Sequence, residues 1–258
     1  MMGNKLFISL MIMLTLLSTQ SHASAKKEAE PRSWLVNVEN IYTKYYLCSG
    51  ALVSKYWVLT TARCVDGNGG SRLSVLLQPS KASDLSLKVW ADMNSLTFDD
   101  QHKLAMFRLA EPVTDRKPAK LSYNDKKTRQ CKTLLCAYLE RITPNPPFKF
   151  QLKEHARKMT LANSDNYHDR ENKITASEVF CTVEPDGQQF GNKVIMGSAL
   201  TDCKGQLVAL GIHVGDAPSL VDDQKPDMTP GFNAFLKLSA FKPFIERNRK
   251  KLPPGEEL

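Results

Sequence analysis

Six cysteines are the residues of this chain best equipped for covalent chemistry: Cys48, Cys64, Cys131, Cys136, Cys181 and Cys203. Cys48 opens and Cys64 closes the stretch LCSGALVSKYWVLTTARCV, Leu47 to Val65, and the apolar run between them carries turn residues at its middle. Two cysteines flanking a hairpin can close it covalently, which stabilises a loop of this size by roughly 3 kcal/mol in the chain-entropy model. Hydrolytic chemistry would instead need a serine, threonine or cysteine within hydrogen-bond reach of a base. His155 and His168 are the histidines left for that role, and both lie in polar stretches where a solvated imidazole is the simpler reading. No metal site and no cofactor are expected.

The elements that must position these residues are mostly strands. Trp34 to Val38 alternates, Leu47 to Val53 and Tyr56 to Thr60 flank the turn Ser54-Lys55, and Leu73 to Leu77, Leu85 to Trp90, Lys132 to Leu139 and Val179 to Val183 follow. Gln151 to Leu161 fits a strand or a short basic helix, Thr143 to Phe150 is a proline-rich loop, and Asn163 to Asn172 is polar enough for another. Phe241, Phe244 and Ile245 fall at helical spacing and give Leu238 to Arg249 one apolar face.

The N-terminus has the form of a secretory leader: Lys5, an apolar run from Leu6 to Leu17, then small residues around Ala23. That run is short of the roughly 20 residues a membrane span needs. Secretion, disulfides and no membrane anchor are therefore expected, with an extracellular setting. The net charge of +8 is interleaved with acids and reads chiefly as a solvated surface, with a polyanionic partner as the minor alternative and nucleic acid not expected.

Leu47 to Val65 resembles the trypsin-like (chymotrypsin-fold) serine proteases, which read Cys-Gly-Gly-Ser-Leu-Ile and then Trp-Val-Leu-Thr-Ala-Ala-His-Cys. The place of the family's histidine base is taken by Arg63, which stays protonated and accepts no proton. Asp99 to Leu109, followed by Glu111-Pro112-Val113, resembles the family's Asn-Asp-Ile-Ala-Leu-Leu-Arg-Leu before Glu-Pro-Val, with Lys103 at the catalytic aspartate. An ammonium cannot stabilise an imidazolium. Neighbours on an extended segment point to opposite faces, so His102 is expected to face away from the cleft, and Asp100 is out of register. Gly191 to Gly215 resembles the family's Gly-Asp-Ser-Gly-Gly-Pro-Leu region, with Met196 in place of the nucleophile; a thioether has no proton to lose. Ser198 lies two residues off that turn. Ile195 stands where the family's aspartate receives a new amino terminus, Val194 replaces a glycine of the oxyanion hole, and the specificity pocket is counted to Phe190.

The resemblance implies an all-β double six-stranded antiparallel barrel with a C-terminal helix. Its expected layout is a leader at 1–23, a short segment at 24–32 and a trypsin-like domain at 33–251. Within that domain the first barrel falls at about 33–115, the second at about 120–237 and the helix at about 238–249, with a tail at 252–258. It also implies the Cys48–Cys64 bond and a bond from Cys203 to Cys131 or Cys136, leaving Cys181 the other. Triad-equivalent positions Arg63, Lys103 and Met196 would then form a cationic notch over an apolar floor. Two like charges at about 4 Å repel by roughly 4 kcal/mol at an effective dielectric near 20, so they are expected to splay into water or share an anion. The implied function is that of a secreted pseudoprotease that binds extracellular proteins, an active protease or a protease inhibitor among them. Such homologues serve as cofactors, decoys or adaptors in immune or reproductive secretions. The alternatives are residual serine-type hydrolysis and polyanion binding through Arg116 to Lys132 and Arg247 to Lys251.

Overall fold

Strands bounded by turns make up nearly all the regular structure of the computed structural model, which describes residues 32–39, 47–66, 73–78, 87–142, 151–165, 167–169, 173–184, 195–213 and 232–251. The expected leader, the 143–150 loop, Phe190, Val194 and the 252–258 tail lie outside them.

Six strands close the first barrel: β1 (Leu35–Glu39), β2 (Leu47–Leu52), β3 (Trp57–Thr61), β4 (Ser74–Leu77), β5 (Leu87–Phe98) and β6 (Leu104–Leu109). They run in the order β1-β4-β5-β6-β3-β2, and β2 returns to pair with β1. The tight turn between β2 and β3 is built by Ser54, whose Oγ accepts the amides of Tyr56 and Trp57 at 3.3 and 3.1 Å. β5 runs well past Trp90 because an irregularity between Asp92 and Thr97 lets it bend without leaving β6. Ser95 Oγ donates to Asp92 O at 2.6 Å and accepts the Arg108 amide at 2.7 Å, bridging that gap.

A linker follows, with helix α1 (Asp125–Arg129) capped by Asn124, whose Oδ1 accepts the Lys127 amide at 3.0 Å. The second barrel comprises β7 (Leu134–Ile142), β8 (Gln151–Ala162), β11 (Val179–Val183), β13 (Ala199–Thr201), β14 (Leu207–His213) and β15 (Phe232–Lys237). Between β8 and β11 sits the ribbon β9 (His168–Asp169) with β10 (Ile174–Thr175), and β12 (Ile195–Met196) precedes β13. The barrel closes in the order β11-β15-β14-β13-β7-β8. The ambiguous stretch from Gln151 is thus a strand, held in register with β7 from Leu134↔Met159 to Ile142↔Gln151.

Three apolar clusters follow from strand alternation. Val36, Leu52, Val58, Val75, Val89 and Phe107 fill the first barrel, one from each strand. Leu134, Met159, Phe180, Leu200, Val208 and Phe235 do the same for the second. The opposite faces of both barrels, with Leu35, Leu59, Met106, Leu139, Leu210 and Leu236, meet in a seam that Phe241, Phe244 and Ile245 also cover. Those three belong to the end of the chain, where helix α2 (Lys242–Arg249) begins four residues later than expected. Pro243 explains the late start, since its fixed φ suits the first turn of a helix and not the interior. Trp57 Nε1 donates to Lys251 O at 2.8 Å and fixes the end of α2 against the first barrel.

Disulfides join Cys48 to Cys64 and Cys131 to Cys203. Cys136 and Cys181 are buried thiols, which corrects the expectation that all six cysteines pair. The reason is geometric. Cys136 points into the second barrel with Leu134 and Tyr138, whereas Cys181 points out of its wall into the seam. Burial pushes both thiols up to about 12, far from the reactive thiolate range. A thiol reagent is therefore expected to find no reactive cysteine in the native protein and two per chain in denaturant without reductant. No thiol in denaturant would mean that a third disulfide exists.

Candidate site at the junction of the barrels

Arg63 lies in the single helical turn Ala62–Cys64 that ends β3, pinned on one side by the Cys48–Cys64 bond. On the other side the Ala62 amide donates to Lys103 O at 2.9 Å, so residues 63 and 103 are brought together by backbone contact. Met196 reaches the same place on β12, which lies parallel to β2 with Met196 opposite Cys48. These three side chains line one cavity of about 80 Å³, together with Thr61, Ala62, His102, Tyr167, Asp169, Ile174 and Ile212. Its floor is apolar and its rim is charged.

The charges are not arranged as two repelling cations. Lys103 Nζ donates to Glu178 Oε1 at 2.6 Å, and the lysine side chain is 2 % exposed. Glu178 is delivered by the short helical turn Ala176–Glu178, where its Oε2 also accepts from Thr175 N and Oγ1 at 2.9 and 3.0 Å. Burial alone would raise this carboxyl; the hydrogen bonds from Lys103 and Thr175 outweigh it and hold it below its ordinary value. Beneath it, Lys237 Nζ donates to Ser177 O at 2.8 Å. Lys103 is thus neutralised within the molecule by a side chain from the turn that precedes β11.

His102 also departs from expectation. It sits in a turn with φ +57°, not on an extended segment, and lines the cavity. The turn forms because the Asp99 carboxylate gathers the amides of Gln101 and Lys103, at 3.0 and 2.7 Å, and that of Leu104. The His102 ring stacks on Phe98 at 4.0 Å, with Nε2 2.6 Å from Asp66 Oδ1. Opposite it stands Tyr167, whose hydroxyl is raised by burial and by Asp169, against an opposing effect of Arg63.

Ser198 does not face this cavity. Gly197 takes φ +67° and turns the chain so that Ser198, 0 % exposed, lies beside the Cys136 thiol. Ile195 is also 0 % exposed and packs inside the second barrel with Leu200 and Phe235. His155 is elsewhere, stacked on Tyr138 at 4.8 Å with Nε2 2.8 Å from Glu140 Oε2, and His168 lies on the β9 ribbon. Sequence reading missed Glu178, Tyr167 and Asp169. The Thr175-x-x-Glu178 capping pattern was visible, but nothing local linked it to Lys103.

Two closed six-stranded barrels meeting at this cavity define a trypsin-like, chymotrypsin-fold domain. The chain belongs to the trypsin family: residues 23–209 match the family described as Trypsin. It is 29 % identical to kallikrein 1-related peptidase b3 of Mus musculus over 250 residues, 88 % of this chain and 89 % of that one. To brachyurin of Leptuca pugilator it is 31 % identical over 94 residues, 34 % of this chain and 41 % of that protein, less than half the length of that relative. The fold is similar to that of scabies mite inactivated protease paralogue S-D1, with TM-score 0.59 at 18 % identity, covering 86 % of this chain and 95 % of that one.

Proposed function

We propose that the protein is a secreted, catalytically inactive serine protease homologue that acts by binding other proteins, as a regulator, cofactor or decoy in an extracellular proteolytic pathway. One observation carries this reading: the cavity at the family's catalytic position is lined by Arg63, Lys103 and Met196. None of these can serve as base, orienting acid or acyl acceptor in the family's chemistry. Lys103 in its Glu178 bridge supplies no carboxylate toward residue 63, and the buried Ser198 offers no replacement nucleophile. A solved relative of the same fold is itself named an inactivated protease paralogue, which agrees with this reading. The secretory setting rests on the N-terminal leader pattern and on the two disulfides.

The test uses the full chain expressed in a secreting eukaryotic cell, with the protein recovered from the medium. A fluorophosphonate probe is expected to leave it unlabelled at concentrations that label an active trypsin-like protease to completion. Stoichiometric labelling at any serine would establish hydrolase chemistry and end the proposal.

A further inference from the structure

Several cations of the described residues are answered by acids. Arg32 pairs with Glu154, Lys88 with Glu39, Lys103 with Glu178, Arg108 with Asp92, Arg116 with Asp115 and Arg157 with Glu184. At the end of the chain, Arg249 and Lys250 both turn to Glu246. Others are not, and four of these fall within one short stretch. Lys126, Lys127 and Arg129 project from the single turn of α1, and Lys132 follows it. All four are exposed, and none has a carboxylate partner among the described residues.

The Cys131–Cys203 disulfide, with its Cα atoms 5.6 Å apart, brings a distant turn against them. Lys204, next to Cys203, is exposed there, and the Cys203 amide lies 3.2 Å from Cys131 Sγ. Lys158 extends the charge onto β8, opposite Leu135, one strand away from Thr201 and the same turn. Two acids are close. Asp125 lies in the first turn of α1, and Asp202 is buried with Oδ1 accepting the amides of Lys204 and Gln206 at 2.9 Å each. Six exposed cations therefore lie on α1, on the turn the disulfide ties to it and on β8, with Asp125 the one acid among them that is not buried.

We infer that this face binds a sulfated polysaccharide. Its chemistry is cationic with no apolar anchor: the exposed large hydrophobic residues described are Leu87 and Trp90, both on β5 of the first barrel. A protein partner would need buried aromatic or aliphatic anchors, and single-stranded nucleic acid would need exposed rings for its bases. A chain of repeated sulfates needs only charge spaced along a surface, which the Lys126-Lys127-x-Arg129-x-x-Lys132 run supplies. The site lies on the linker and second barrel, so it is independent of what the junction cavity binds.

The experiment measures binding of the full mature protein to heparin, to desulfated heparin and to duplex DNA across a salt series. The variant Lys126→Ala/Lys127→Ala/Arg129→Ala is compared with Lys55→Ala/Lys153→Ala/Lys173→Ala, which removes the same charge from exposed positions elsewhere. Each contact to a polyanion releases a counterion, so losing three is expected to weaken heparin binding about 100-fold near 0.15 M salt and to flatten the salt slope by two to three. The control variant should stay near wild type, and desulfated heparin should not bind. A second variant, Lys132→Glu/Lys204→Glu, tests the other side of the disulfide without touching α1 and should weaken binding as well. Equal losses in patch and control variants would overturn the inference. So would no binding of heparin by the wild type, undiminished binding of desulfated heparin, or tighter binding of duplex DNA.

Discussion

Replacing Lys103 by aspartate, the acid the family carries at that place, is expected to destabilise the protein by about 3–5 kcal/mol instead of moving it toward catalysis. Glu178 would then face a second carboxylate across a gap where it now accepts a 2.6 Å bond from an ammonium that is 2 % exposed. A buried charge stripped of its partner keeps its desolvation penalty and loses its compensation. For a domain of this size the fall in melting temperature should be about 6 to 20 °C. Adding Glu178→Lys should recover much of it by restoring one charge of each sign, and the two single variants with the double one form a cycle that isolates the coupling. An unchanged melting temperature in Lys103→Asp would mean that the bridge contributes nothing.

The same bridge has a defined response to pH. Because the folded Glu178 carboxyl is held below its ordinary value of 4.5, its contribution is fully present above that pH and is lost as pH falls through the folded value. Wild type and Lys103→Asp should therefore converge in stability as pH falls from 4.5 through the folded value of Glu178. The wild type gives up its ion pair there, while the variant gains a proton that relieves its two facing carboxylates.

Gly197→Ala should have an effect at least as large. A Cβ at that position would sit 1.9 Å from Ser49 O and 2.8 Å from Thr60 Oγ1, on a residue with φ +67°. Thr60 Oγ1 already donates to Ser49 O at 2.7 Å, and the Gly197 amide donates to Gly211 O at 2.7 Å, so the crossing of the two barrels has no slack. Steric overlap on backbone combined with left-handed strain belongs to the class of substitutions that cost more than about 4 kcal/mol. The expected outcome is little or no folded protein, measured as yield and as near-ultraviolet circular dichroism. Folded protein at normal yield would refute the close approach. The glycine has a use in the site as well, since it presents Met196 to the cavity and turns Ser198 away from it.

Much of the architecture was legible because strands announce themselves locally. The β2–β3 hairpin carries its apolar runs, its Ser54 turn and its flanking cysteines within one short stretch, and β12 to β14 sit in an equally ordered segment. What escaped reading depends on contacts between distant residues. Lys103 and Glu178 are 75 positions apart, and no local pattern ties an ammonium on one barrel to a helical turn on the other. His102 was placed by strand alternation, yet the Asp99 carboxylate had already ended the strand by gathering amides ahead of it. The expected third disulfide failed for a related reason. Whether Cys136 and Cys181 can meet depends on which side of a closed barrel wall each faces, and a pairing carried over from a resemblance contains no wall. The start of α2 was within reach, since Pro243 marks a first helical turn.

Ile195 has a consequence for how such a protein can be controlled. An aspartate enclosed in the second barrel would be a charge awaiting a partner, and a cut that frees an amino terminus could switch the domain from a latent to a working form. The isoleucine packed there with Leu200 and Phe235 leaves nothing for that cut to complete. On the proposed function, the domain would then have one resting form from the moment it folds, and its influence would scale with how much of it is made, where it is delivered and how concentrated its partners are.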